Sequence, residues 1–179
     1  MKDRDQILLE SLYSNILLKE SLDEEYLRLA QNPEENKDAL QRMVDDVAKV
    51  KGYDIRGYHG TRSPAGFTKF IPNEALGGTI FIATEPSEAS AFGRVMDVFI
   101  KAENVRKGIV RSYDEVRAIA VAKKRGQDAI RVTDGLNAPV NYAVFDPNQI
   151  KSADPVTYDN GNIIPLSQRF DSSNNDIRY

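Results

Sequence analysis

The stretch "RGYHGTRS", Arg56–Ser63, holds the only histidine of this 179-residue chain. It overlaps the alternating segment "YDIRGYHG", a pattern that favours a β-strand. His59 stands at the end of that strand and is followed directly by Gly60 and Thr61. A glycine beside a ligating side chain lets a flat ligand approach the backbone, so that N–H and C=O groups can bind it. The alternative is a structural or exposed histidine, and the rest of the chain has to distinguish the two.

The composition limits the chemistry that the chain can perform. It contains no cysteine, which excludes disulfides, thiol catalysis and thiolate metal sites. A single histidine also excludes a metal site built from several histidines; a site of carboxylates alone for magnesium or calcium stays possible, although we expect no metal to be required. No apolar run approaches the roughly 20 residues that span a bilayer, so we expect no membrane partner. The N-terminal "MKDRDQILLE" lacks a signal-peptide pattern, so we expect a cytoplasmic location.

The net charge of -3 is spread unevenly along the chain. Residues 1–50 are rich in acids, whereas the region from Arg94 to Arg131 is richer in Lys and Arg and includes "KKRG". A basic stretch can contact nucleic acid. A solvated helix face explains it more simply, because no aromatic platform or nucleic-acid motif accompanies it.

The chain divides into three segments by pattern. Residues 1–52 are predicted to form three helices, with Ser21 and Glu24 as a capping box and Asn32 capping the third helix. A polar tail, residues 166–179, is predicted to be extended or loosely ordered. Between them, residues 53–165 alternate between short strands and two helices, which predicts an α+β domain of mostly antiparallel strands. The helices are "PSEASAFG" and "YDEVRAIAVAKKR", and the strands are "YDIRGYHG", "GGTIFIAT", "VMDVFIKA", "DAIRVTD", "NYAVFDP" and "QIKSA".

Three of these segments, in this order, carry a resemblance: "YHGTR", "GGTIFIATEPSEASAF" and "NYAVFDPNQI". Together they resemble the ADP-ribosyltransferase fold in its diphtheria-toxin and poly(ADP-ribose) polymerase branch. They are most similar to the ADP-ribosyltransferase domains of phage and prophage polyvalent proteins. The resemblance covers roughly Gly52 to Ala153. It implies split antiparallel β-sheets with short helices, preceded here by the helical segment, and NAD as co-substrate.

The resemblance assigns roles to residues of the first two motifs. His59 would bind the adenine-side ribose hydroxyls, Gly60 would meet the nicotinamide carboxamide through its backbone, and Thr61 would support that turn. Arg62 is our choice for the NAD pyrophosphate, since an anion needs a cation or a helix N-terminus. Phe92 would stack on nicotinamide.

Two further positions of the second motif, Phe81 and Ala89, have alternative interpretations. Phe81 stands where the family usually has an aromatic residue, although plain core packing explains a phenylalanine there equally well. Ala89 falls where the polymerases place a serine that binds the carboxamide. Ser90, one position further, would have to compensate, although on a helix it points elsewhere.

The third motif departs from the family pattern, because Asn141 stands where these transferases usually have a catalytic glutamate. Asparagine can hydrogen-bond the ribose but brings no negative charge. We hypothesise that Asp134 supplies the carboxylate. If "DAIRVTD" and "NYAVFD" pair across the six-residue loop "GLNAPV", Asp134 lies opposite Asn141, with Cβ atoms about 5 Å apart. The alternative is that Asp134 only starts the turn before its glycine. Asp146 is expected to form a turn and Gln149 to brace it.

The resemblance implies an NAD-dependent mono-ADP-ribosyltransferase of phage or prophage type that modifies a bacterial host macromolecule. A host protein is the expected acceptor, with nucleic acid as a weaker candidate. The enzyme would act in the host cytoplasm, and delivery with a virion is one route to it. Two alternatives stay open. One is an NAD glycohydrolase. The other is a catalytically degenerate NAD-binding module that takes part in virion or partner assembly.

Overall fold

The computed structural model describes the backbone of residues 4–63 and 67–179 and the side chains of residues 17–63 and 67–179. The first three residues of the predicted N-terminal segment lie outside the described residues. The helices are α1 (Arg4–Leu29), α2 (Lys37–Val50), α3 (Pro86–Ser90) and α4 (Glu115–Lys124). The strands are β1 (Ile55–Thr61), β2 (Ile80–Ile82), β3 (Arg94–Ile100), β4 (Val105–Arg111), β5 (Ala129–Thr133), β6 (Asn141–Val144), β7 (Ile150–Ser152), β8 (Tyr158–Asp159) and β9 (Asn162–Ile163).

The strands form two main sheets, and the predicted α+β class is confirmed. The first sheet has the order β1-β3-β7, and the second has the order β2-β6-β5-β4. All neighbours in these sheets are antiparallel except β4 and β5, which are parallel and joined by α4. The sheets meet where Tyr58 of β1 and Ala83 after β2 exchange two backbone hydrogen bonds of 2.8 Å. Strand β4 was not predicted, because its sequence lacks the alternation that signals a half-buried strand, and residues 107–109 in its middle are exposed.

The N-terminal segment contains two helices over the described residues, so the prediction of three is wrong. Helix α1 runs through the expected break. The Ser21 hydroxyl, expected to cap a helix, donates instead to the carbonyl of Leu18 within α1, at 3.0 Å. The expected cap at Asn32 is also displaced, because the chain turns there and α2 begins only after Asn36. The side-chain amide of Asn36 donates to the carbonyls of Leu29 and Asn32 and holds this turn together.

Gly52 ends α2. Its φ of +83° lies in the left-handed region, and its N–H donates to the carbonyl of Lys49. The next N–H, that of Tyr53, donates to the carbonyl of Ala48 at 2.8 Å, which completes a Schellman motif. The chain therefore turns sharply from the helix into β1.

The N-terminal helices share a hydrophobic core with the first sheet. Leu40, Val44 and Ala48 recur every fourth residue and are fully buried on one face of α2. They belong to the same cluster as Tyr26 of α1 and Phe99 of β3. The helices therefore pack on the face of β3 and β1 that points away from the second sheet.

The tail, residues 166–179, is packed against the domain, so the prediction of a loosely ordered segment is wrong. Arg169 and Phe170 are 1% and 2% exposed, and Ile177 is 3% exposed. The Arg169 guanidinium donates to the carbonyl of Ser152 in β7 and to the hydroxyl of Tyr26 in α1. Arg169, one of the polar residues that suggested disorder, therefore links α1 to the first sheet, whereas residues 171–173 are exposed.

Candidate active site

A cavity of about 970 Å³ opens between the two sheets, near the upper end of the size of ligand pockets, about 300–1,000 Å³. Its lining includes β1, the ends of β5 and β6, and the segment from α3 to the turn after it. The predicted site residues on this lining are His59, Gly60, Phe81, Phe92, Asp134 and Asn141. Residues from all three sequence motifs therefore share a single cavity.

His59 is fixed in the cavity wall by a backbone carbonyl and by two aromatic rings. Its Nδ1 lies 3.0 Å from the carbonyl oxygen of Phe81. The ring makes edge-to-face contacts with Phe70 and Phe67, at centroid distances of 4.8 and 5.9 Å. Burial lowers the pKa of His59, and the carbonyl contact opposes that shift only in part. A carbonyl accepts only from a protonated Nδ1, so the neutral ring presents Nε2 as a hydrogen-bond acceptor.

Gly60 has a packing reason to be glycine. A Cβ at this position would lie 1.9 Å from the carbonyl oxygen of Ala89 and 2.9 Å from the Cβ of Phe92. The missing side chain therefore lets α3 lie directly on β1, which sets the position of one cavity wall.

The backbone of Gly60 also faces the cavity side of β1. Tyr58 uses its N–H and C=O to pair with Ala83, on the edge away from β3. In an extended strand, the backbone N–H and C=O groups of two residues that are two positions apart point to the same edge of the strand. The N–H and C=O of Gly60 are therefore directed away from β3, towards the space between the sheets.

Thr61 and Arg62 lie outside the described lining of the cavity. The Thr61 hydroxyl oxygen accepts from the backbone N–H of Ser63 at 3.1 Å, so it supports the backbone directly after β1. Arg62 is exposed, and the structure does not bring it to the other predicted site residues.

The aromatic and small residues of the second motif separate into two groups. Phe92 follows α3, lines the cavity and is 63% exposed. The ring of Phe81 packs mainly in the core beneath α4, so its contribution to the site is the carbonyl that holds His59. Ser90 is exposed, and its hydroxyl donates to the carbonyl of Ser87 at 2.7 Å, so it does not replace a serine at Ala89.

Asn141 is held by two hydrogen bonds at the start of β6. Its Oδ1 accepts from the backbone N–H of Thr84 at 3.1 Å. Its Nδ2 donates to Oε2 of Glu88 at 2.6 Å. Glu88 lies on α3, lines the cavity and was not among the predicted site residues. Its spacing of four from Phe92 was the available signal, because the predicted helix "PSEASAFG" would place both residues on one face, although α3 ends at Ser90.

Asp134 does not lie opposite Asn141, so the predicted register is wrong. The residue paired with Asn141 is Val132, and β5 ends at Thr133. Asp134 still lines the cavity. Burial of Glu115 raises the pKa of that residue, and the negative charge of Asp134 adds to the shift. The Thr133 hydroxyl donates to the carbonyls of Gly135 and Ala138. These bonds form a turn that begins two residues earlier than the predicted hairpin requires.

The turn after β6 forms as expected. The Asp146 carboxylate accepts from the N–H of Asn148 at 2.9 Å, and Gln149 completes a capping box. The Gln149 amide also donates to the carbonyl of Lys101 at 2.9 Å, which ties the turn to the end of β3. Neither side chain is part of the described cavity lining.

No family model matches the chain, and none of the curated proteins compared with it is a match. Within residues 4–63 and 67–179, no group of three or more His, Asp or Glu side chains is placed to hold a metal ion. Over the same part of the chain, no helix is both long enough and apolar enough to cross a lipid bilayer.

Proposed function

We propose that this chain is an NAD-dependent mono-ADP-ribosyltransferase with an ADP-ribosyltransferase-like fold. The observation that carries the proposal is the convergence of His59, Gly60, Phe92 and Asn141 on one cavity, although they come from three separated motifs. The resemblance of those motifs to phage and prophage transferases supplies the reaction class. The two sheets, which pair through the Tyr58–Ala83 bridge, are compatible with the split-sheet arrangement that this family implies.

The donor and acceptor groups of the cavity suit a dinucleotide. The Nε2 of His59 would accept a hydrogen bond from a ribose hydroxyl. The backbone N–H and C=O of Gly60 would pair with the carboxamide of nicotinamide, which offers both an acceptor and a donor. The exposed ring of Phe92 would cover the flat nicotinamide ring, for which only an aromatic face is needed.

Transfer requires cleavage of the bond between C1′ of the ribose and the ring nitrogen of nicotinamide. The electron pair of that bond passes to the ring, so neutral nicotinamide leaves and positive charge develops on the ribose. The acceptor nucleophile then forms a new bond to C1′ and loses its proton to solvent. Electrostatic stabilisation of the developing charge is usually the largest catalytic contribution. The chain's own residues therefore have to orient the sugar and place negative charge near it.

A host protein is the proposed acceptor. Polymer formation would need an activated hydroxyl on the ADP-ribose already attached, and Asn141 lacks the charge to activate one. Single transfer is therefore the proposed outcome.

The sole histidine allows occupancy of the site to be measured directly. Its imidazole gives the only histidine signals in an NMR spectrum, and we expect them to shift on addition of NAD. We expect His59→Ala to weaken NAD binding about tenfold, the equivalent of one lost hydrogen bond of about 1.4 kcal/mol. Unchanged histidine signals at saturating NAD, with no binding detected by calorimetry, would contradict the proposed site.

Isotope-labelled NAD incubated with bacterial lysate distinguishes the possible activities. Labelled protein supports the proposed transferase, and its loss in His59→Ala places the reaction in this cavity. Free ADP-ribose without labelled protein would indicate an NAD glycohydrolase. NAD binding without release of nicotinamide would indicate a binding module. Label in the nucleic-acid fraction alone would contradict a protein acceptor.

A further inference from the structure

The side chain of Asn141 has a fixed orientation. The backbone N–H of Thr84 donates to Oδ1, so the amide nitrogen must point the other way. On that side Oε2 of Glu88 accepts from Nδ2 at 2.6 Å, a short, charge-assisted hydrogen bond. An asparagine and a carboxylate therefore form one unit within the cavity wall.

The position of Glu88 is set by backbone packing. Helix α3 lies on β1 with the carbonyl of Ala89, the next residue, filling the space above Gly60. The helix is further tied to the turn that follows it, because the N–H of Phe92 donates to that carbonyl at 3.0 Å. The carboxylate is therefore bonded to Asn141 from the helix whose next residue packs on Gly60.

We propose that Glu88 is the catalytic carboxylate of this enzyme and that Asn141 is its positioning residue. This inference rests on the proposed function. Asn141 occupies the strand position at which the third motif usually has a glutamate. Its side-chain amide donates a hydrogen bond to a different acid, Glu88 of α3. Glu88 supplies the negative charge that stabilises the cationic ribose as nicotinamide leaves. The carboxylate acts electrostatically and forms no covalent bond to the sugar.

Asp134 is the other acidic candidate, and the contacts favour Glu88. Asp134 follows the end of β5, and the group on which its charge acts is Glu115. Glu88, in contrast, is bonded directly to Asn141. Removal of Asp134 therefore should not affect the charge next to Asn141.

The first test removes the charge and keeps the shape. In Glu88→Gln the new amide oxygen can still accept from Nδ2 of Asn141. We expect the rate of nicotinamide release to fall at least 100-fold, in line with the loss of one preorganised electrostatic group, while NAD affinity changes less than threefold. The matched control is Glu85→Gln, an exposed residue at the start of the same helix whose side chain makes no capping bond. It should behave like the wild type.

The second test moves the charge across the hydrogen bond. The double variant Glu88→Gln/Asn141→Glu places the carboxylate on β6 and the amide on α3. We expect it to recover at least tenfold of the rate lost in Glu88→Gln. Asn141→Glu alone would bring two carboxylates together and should be less active than the double variant. A purely structural role for Glu88 predicts no such recovery.

The outcomes separate this inference from the proposed function. If the wild type neither binds NAD nor releases nicotinamide, the proposed function fails, and the inference with it. If the wild type is active and Glu88→Gln keeps more than a third of its rate, Glu88 is not the catalytic carboxylate, although the transferase proposal stands. No recovery in the double variant, with NAD affinity intact, would also overturn the inference.

Discussion

Replacement of Gly60 by alanine tests how the cavity is built, independently of any activity. The new Cβ would lie 1.9 Å from the carbonyl oxygen of Ala89, whereas real Cβ contacts are essentially never shorter than 3.0 Å. The backbone of α3 or β1 must therefore move by at least 1.1 Å, the difference between these distances. Overpacking a well-packed core typically costs about 1–3 kcal/mol, and a backbone atom yields less readily than a side chain. We expect Gly60→Ala to lose about 3 kcal/mol of unfolding free energy.

Urea unfolding and thermal melting measure this loss. For a domain of this size, about 3 kcal/mol corresponds to a fall in melting temperature of roughly 6–12 °C. Gly57→Ala should cost less, because its closest contact, at 2.4 Å, is the methyl carbon Cγ2 of Ile82, which has to yield by a smaller distance than the carbonyl oxygen of Ala89. Gly135→Ala is the control, since nothing lies within 4 Å of its added Cβ. If Gly60→Ala stays within about 0.5 kcal/mol of the wild type, α3 does not rest on β1 as described.

Three further predictions concern buried polar groups outside the cavity. Burial lowers the pKa of Lys151 from its ordinary 10.5 to about 8, so between these values the unfolded chain holds a proton that the folded chain lacks. Raising the pH from 8 to 10.5 should therefore stabilise the wild type relative to Lys151→Met by up to about 3 kcal/mol in urea unfolding, and parallel pH profiles would contradict this. Arg169→Met should cost about 2–4 kcal/mol in the same assay, because it removes three hydrogen bonds, two of them buried; a loss below 0.5 kcal/mol would refute this. Gln149→Ala removes three hydrogen bonds to backbone groups and should cost about 2 kcal/mol, while the exposed control Gln168→Ala should cost little; equal losses would count against the bracing role.

Local patterns located most elements of the domain. The alternation in "YDIRGYHG" identified β1, and the proline after Glu85 together with the small residues that follow identified α3. Gly52 was correctly read as a helix stop, because a left-handed residue is a local requirement that glycine meets best. The capping-box spacing at Ser21 predicted a helix start that the structure does not have. Inside the continuous helix the Ser21 hydroxyl donates instead to a backbone carbonyl one turn earlier.

The tail shows why polarity alone is a weak guide to order. Arg169 and Lys151 read as surface residues, yet each is 1% exposed, with hydrogen bonds to backbone carbonyls from distant parts of the chain. Such acceptors exist only once α1, β7 and the tail have come together. Composition therefore could not distinguish a solvated tail from a buried polar layer.

The sequence by itself determined the order of the elements and placed His59, Gly60 and Phe92 at positions where a ligand could be bound, since strand ends, turns and helix starts depend on neighbouring residues. Only the tertiary structure decided which acid stands beside Asn141. A two-residue shift in pairing moved Asp134 away from it, and the packing of α3 on β1 brought Glu88 within 2.6 Å. Hairpin register and helix docking depend on contacts between residues far apart in the chain, and those contacts leave no local pattern to read.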